Sequence, residues 1–203
     1  SIATLGLIDT SFLVCYALGQ FVSGYIGDRL GAKKIIALGL LGSGLVSFGM
    51  GCTHHALVCV VLFGLNGLFQ STGWANNIKA LEPWFQQEQR GKAMAWWGTC
   101  QQVGGFLATI LAAFVLVRFG LQSAFLLPAL LVMGVSFLVY LGLPESHNRA
   151  DCPKSVSNHA SYWQLINNPF LICLSLSYFG LKLIRYSLLF WLPFYFKKTL
   201  GLP

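Results

Sequence analysis

Lys182 and Arg185 stand inside an otherwise apolar run from Phe170 to Phe196. The run is long enough to cross a bilayer, whose hydrocarbon core takes about 20 helical residues. A cation near the midplane of that core costs roughly 2.5–3.5 kcal/mol on insertion scales, so a residue of this kind is expected to face a polar cavity and hold something negative. A spacing of three puts both side chains on one helical face, where they can converge on one anion. The guanidinium of Arg185 also carries a planar fork that takes two phosphate oxygens at once. The chemistry this pair points to is capture of an anion inside a membrane, a phosphorylated one first.

Other polar residues interrupt apolar stretches. Lys79 lies near the end of the segment Ala56–Leu81. It lines the same cavity, snorkels to headgroups, or pairs with Glu82 three residues on. Asn76 and Asn77, a turn earlier, are expected to face protein or cavity, since lipid satisfies no amide. Gln101 and Gln102 can donate hydrogen bonds without ever becoming cationic near neutral pH. They contact the cavity, or they bond helix to helix, an interaction worth about 0.6 kcal/mol on average. Among the aromatic residues, Trp74 and Tyr186 are assigned to the cavity. Trp84, Trp96, Trp97, Trp163 and Trp191 belong by default to an interfacial belt. There is no HExxH, no GxSxG and no pair of carboxylates at catalytic spacing, so no catalytic residue is assigned. His54 and His55 are adjacent and share no helical face, which speaks against a metal site, and no cofactor is implied. The six cysteines show no CxxC spacing and read as small buried side chains.

The elements that must position these residues are membrane helices. Hydrophobic residues make up 56% of the 203 and charged residues 9%, against about 25% charged in soluble domains. Mean hydropathy is +0.67. The fold class is therefore all-α and polytopic. The +7 net charge is scattered through short loops rather than gathered on one face, which excludes a nucleic-acid surface. Six spans can be marked, at Ile8–Ile26, Ile35–Cys52, Ala56–Leu81, Ala93–Val117, Leu121–Leu143 and Phe170–Phe196. The separators are Gly27–Lys34, Thr53–His55, Glu82–Lys92 and Arg118–Gly120, with one longer polar linker, Pro144–Pro169. A short amphipathic surface helix is expected within that linker, at Ala160–Leu165. Seven Lys and Arg on the side of the linker, against three on the other, place it in the cytoplasm by the positive-inside rule. No basic n-region opens the chain, so no signal peptide is read. All six acids, Asp9, Asp28, Glu82, Glu88, Glu145 and Asp151, are expected near helix ends or in loops.

Gly24-Tyr25-Ile26-Gly27-Asp28-Arg29-Leu30-Gly31-Ala32-Lys33-Lys34 fits G-x-x-x-D-R-x-G-x-[KR]-[KR] at every constrained position. Gly24 permits close helix approach, Gly31 a tight turn, and Asp28 can pair with a cation or cap a helix. On this motif the chain resembles the major facilitator superfamily. The stretches Asn66–Trp74, Pro83–Phe85, Glu88–Lys92, Trp96–Gly105 and Arg185–Pro193 are similar in order and spacing to its organophosphate:phosphate antiporters. Leu5–Thr10 and Phe190–Tyr195 lean towards the sugar-phosphate exchangers within that group.

The resemblance implies a helical bundle of twelve spans in two halves, of which this chain would supply helices two to seven. Residues 1–143 would be helices two to six, 144–169 the cytoplasmic linker, and 170–203 helix seven. It implies exchange of an organophosphate for inorganic phosphate by alternating access, with Arg185 the helix-seven arginine that holds phosphate. Lys182, Gln101, Lys79, Tyr186 and Trp74 would line the site, and Gly24, Asp28, Arg29, Gly31, Lys33 and Lys34 would form the conformational motif. Gln101 departs from the histidine that glycerol-phosphate transporters carry there, and the second phosphate-binding arginine lies on a helix outside this chain. The partners implied are a small organophosphate, inorganic phosphate and the lipid bilayer, with a monomer as the full-length state. The membrane is the bacterial inner membrane or the endoplasmic reticulum. Two alternatives stay open: a proton-coupled sugar or drug transporter, and a non-transporting sugar-phosphate receptor.

Overall fold

The computed structural model of the chain describes residues 2–53, 55–144 and 167–199. These residues form helices joined by very short turns, with no strand among them. Helix α1 spans Ile2–Leu30, α2 Ala32–Cys52 and α3 Ala56–Leu81. A 3-10 turn, Glu82–Trp84, with Pro83 in its first turn, leads to the helical run Gln87–Gly142. That run has 56 residues, about 84 Å at 1.5 Å per residue, so it cannot cross a core of about 30 Å only once. It breaks at Gly120, whose φ of 84° and ψ of 178° are not helical. The two arms, 87–119 and 121–142, are α4 and α5. The last helix, α6, is Pro169–Thr199.

The six expected spans are therefore present. Three of the expected separators shrink, Arg118–Gly120 to Gly120 alone. The motif loop 27–34 reduces to Gly31, and α4 begins at Gln87 rather than at Ala93. Charged residues end an apolar run without ending a helix, because their stems extend to the interface while the backbone stays helical. Gly31 has φ 88°, a left-handed conformation that glycine adopts without the penalty a Cβ would bring. Its amide donates to Gly27 O at 3.1 Å. Residues 145–166 lie outside the described residues, and with them Glu145, Arg149, Asp151, Cys152, Lys154, Trp163 and the surface helix expected at 160–165. His54 lies outside them too, and the side chains of Lys197 and Lys198 are not described.

The chain divides into two compact units, Ser1–Arg149 and Ala150–Pro203. In the first, α3 packs on α1 and α2, and α2 packs on α5. The interior is the reverse of a soluble core. Among the described residues the buried apolar side chains are Ile35, Ile36, Ala37, Val46, Val115 and Ala129, and the buried polar ones, equal in number, are Ser23, Ser43, Asn66, Ser71, Asn76 and Ser136. Large apolar side chains point outward, Phe21 at 83% exposure. Lipid is as apolar as leucine, so helices associate through small residues and hydrogen bonds instead. Ser11 Oγ donates to Val60 O (3.0 Å), Ser43 Oγ to Asn66 Oδ1 (2.6 Å) and Ser136 Oγ to Ala37 O (2.7 Å), each between helices. At Gly67 an added Cβ would run into the carbonyl oxygen of Phe12 on α1. Gly64 is less confined, with Cys15 Sγ at 3.3 Å from that position, and Gly104 and Gly105 on α4 have no neighbour within 4 Å among the described residues.

Candidate functional site

In the second unit, α6 runs for 31 residues from Pro169 to Thr199, so its midpoint, (169 + 199)/2, falls at Ile184. Lys182 and Arg185 flank that midpoint within two residues. The ammonium of Lys182 lies 5.0 Å from the ring centre of Tyr178 and 5.8 Å from that of Tyr186. Both rings lie one turn away, and both present the negative face of the π-system to the cation, worth about 0.5–2 kcal/mol each depending on desolvation. Lys182 is thus held along the helix face, and the exposed Arg185 guanidinium stands one turn on. Tyr178 is a member of this constellation that sequence reasoning missed, although its i−4 spacing from Lys182 was a usable signal.

In the first unit, the indole rings of Trp74 on α3 and Trp97 on α4 meet at 4.7 Å with a 54° tilt. Trp97 therefore takes part in a contact between two helices. The two helices run antiparallel through the turn at 82–86. Gln70, one turn before Trp74, and Gln101, one turn after Trp97, consequently lie towards the same end. Both are exposed. Gln70 Nε2 also donates to Asn66 Oδ1 at 3.4 Å, which anchors it to the buried Ser43–Asn66 bond. The two indoles are in contact, and Gln70 and Gln101 are exposed amides on the same two helices.

Lys79 sits elsewhere. Its ammonium is 2.8 Å from Asp28 Oδ1 and donates to Gly24 O at 2.7 Å. Glu82, the partner suggested by spacing, instead accepts from Arg90 Nη1 at 2.8 Å. The other motif residues are also placed. Arg29 lies 4.5 Å over the Tyr25 ring and Lys33 5.5 Å from the Tyr140 ring, while Lys34 borders a groove between α2 and α5. Gly24 has open space where a Cβ would be; the close approach expected there occurs at Gly27, against the amide oxygen of Asn76. Asn76 is fully buried, donates to Thr72 O at 2.8 Å, and its Oδ1 has no hydrogen-bond partner among the described residues.

Asp9, expected at a helix end, lies two turns inside α1 because that helix starts at Ile2. The 19 residues from Asp9 to Asp28 cover about 28 Å, close to the thickness of the hydrocarbon core, so one acid reaches each interface. Among the described residues no three His, Cys, Asp or Glu side chains gather into a metal-binding group, and the cysteines are unpaired thiols.

The sequence profile of the Major Facilitator Superfamily matches residues 1–203. The chain belongs to this superfamily. It is 32% identical to Sugar phosphate exchanger 3 of Bos taurus over 241 aligned positions, which cover 97% of this chain and 48% of that protein. It is 30% identical to Sugar phosphate exchanger 3 of Homo sapiens, with the same coverage of each. It is 30% identical to Putative glycerol-3-phosphate transporter 3 of Arabidopsis thaliana, covering 97% of this chain and 45% of that one. The chain spans about half the length of the curated relatives it matches. The family expected from the glycine–aspartate–arginine motif is thus established, and the protein is an integral membrane protein of facilitator type. Within the superfamily frame, the Gly24–Lys34 motif joins α1 to α2 and is tied to α3 through Lys79.

Proposed function

We propose that the chain is helices two to seven of a twelve-helix carrier that exchanges an organophosphate, a sugar phosphate or glycerol phosphate, for inorganic phosphate. The single observation that carries this is the position of Arg185 and Lys182 at the midpoint of α6, where an anion in a polar cavity would offset the cost of two cations. The names of the relatives support the substrate class. Arg185 binds the phosphate through two hydrogen bonds, and Lys182, steadied by Tyr178 and Tyr186, adds the second charge. Gln101, Gln70 and Trp74 supply neutral hydrogen bonds and a stacking face for the organic part. Lys79 contributes from the cytoplasmic end, shared between Asp28 and an arriving phosphate.

Exchange follows from electrostatics. An empty site that holds two cations and no anionic substrate resists the rocking step, and a bound phosphate relieves it. The protein acts as a carrier, not as an enzyme, monomeric at full length and resident in a bacterial inner membrane or the endoplasmic reticulum.

The test is uptake of radiolabelled phosphate by proteoliposomes holding the full-length carrier, preloaded with phosphate, glycerol-3-phosphate or glucose-6-phosphate. Uptake is expected to require an internal phosphate compound and to fall by at least a hundredfold in Arg185→Ala, the loss of one charge-assisted phosphate contact costing about 3 kcal/mol. Ligand binding without counterflow would make the protein a receptor. Uptake driven by a pH gradient with Arg185 dispensable would overturn the phosphate reading.

A further inference from the structure

An apolar groove of about 490 Å³ runs between α2 and α5, on a different face of α2 from its contact with α3 at Gly39 and Gly42. Leu38 and Leu41 form one wall, Met133 and Phe137 the other. The floor is closed by the bond from Ser136 Oγ to Ala37 O at 2.7 Å. The two helices run antiparallel, so Lys34 and Tyr140 border the same end, about 10 Å along the helix axes from Leu41 and Met133. Lys33 joins them there, its ammonium 5.5 Å from the Tyr140 ring. Among the described residues no acid lines the groove, and the first turn of α2 carries none. The groove therefore has a cationic head and an apolar body.

We infer that this groove binds an anionic phospholipid, with its phosphodiester at Lys33, Lys34 and the Tyr140 hydroxyl and an acyl chain along Leu38, Leu41 and Phe137. Charge complementarity selects this occupant. A protein helix laid in the groove would have to bring an acid to one particular end, whereas every anionic lipid of the leaflet brings a phosphate at headgroup depth and a hydrocarbon tail below it. The positive-inside rule turns this end towards the cytoplasmic leaflet, where anionic lipids reside and where basic pockets between helices take their headgroups. The site shares no residue with those proposed to bind the organophosphate, so its failure and that of the exchange reading are separable.

The experiment is native mass spectrometry of the full-length carrier with phosphatidylglycerol, phosphatidylcholine or inorganic phosphate alone. The wild type is expected to retain phosphatidylglycerol over phosphatidylcholine, and millimolar inorganic phosphate should not displace it. Lys33→Gln with Lys34→Gln should weaken phosphatidylglycerol roughly tenfold to thirtyfold, in line with two charges lost near an anionic headgroup. Lys33→Arg with Lys34→Arg should keep it, which separates charge from folding. Leu41→Trp, filling the groove, should reduce both lipids. Equal retention of the two lipids, no effect of the glutamine pair, or displacement by free phosphate would overturn the inference. So would an absence of retained lipid in the wild type, which would mean the rest of the carrier covers the groove.

Discussion

Lys79 reaches back along α3 rather than forward, because helical side chains lean towards the N-terminus of their helix. That lean takes its ammonium to Asp28 and Gly24 O and leaves Glu82 to Arg90. With side-chain exposures of 32% and 63%, the pair is partly solvated, and its coupling should be about 0.5–1 kcal/mol. A double-mutant cycle of Asp28→Asn and Lys79→Gln, read by thermal unfolding of the full-length carrier, should give that coupling, and the swap Asp28→Lys with Lys79→Asp should recover most of it. Strictly additive effects would mean that the contact contributes nothing. This pair lies 51 positions apart in sequence, so no local pattern could reveal it. Lys182 with Arg185, and Gly31, were legible because three- and four-residue spacings and a positive φ are local properties. The contact of Trp97 with Trp74 was not legible either, because the two rings belong to different helices and meet only in the folded chain.

Helix positions were largely legible from the apolar runs, and α3 ends where Glu82 and Pro83 begin a tighter turn. Helix ends were not, since a lysine or arginine can finish a helix as readily as a loop. Which glycines touch a neighbour was not legible either, because glycines look alike in sequence and packing is decided by the face each one occupies. The contrast makes a prediction. Gly67→Ala pushes a methyl group into the Phe12 carbonyl at the α1–α3 contact and should cost about 1–3 kcal/mol, the range for overpacking. Gly104→Ala meets nothing in the described structure and should be neutral or slightly stabilising, since alanine is the better helix former. Unfolding midpoints in detergent for the two variants decide it; equal effects would place the close helix contact elsewhere.

At the scale of the whole molecule, the described unit of α1 to α5 is held by serine, asparagine and glycine within, and its leucines and phenylalanines face outward. This arrangement has a calorimetric consequence. Soluble domains gain about 12–15 cal/mol/K per residue in heat capacity on unfolding, chiefly because buried apolar surface becomes hydrated. Here the apolar surface is already in lipid, and separating the helices inside a bilayer wets little of it. Scanning calorimetry of the carrier in bicelles should therefore show a heat-capacity step well below the soluble value, and a step of ordinary size would mean that unfolding carries the helices into water. A small step flattens the curve of stability against temperature. Cooling, which weakens the cores of soluble proteins by making apolar hydration less unfavourable, should leave this packing almost untouched.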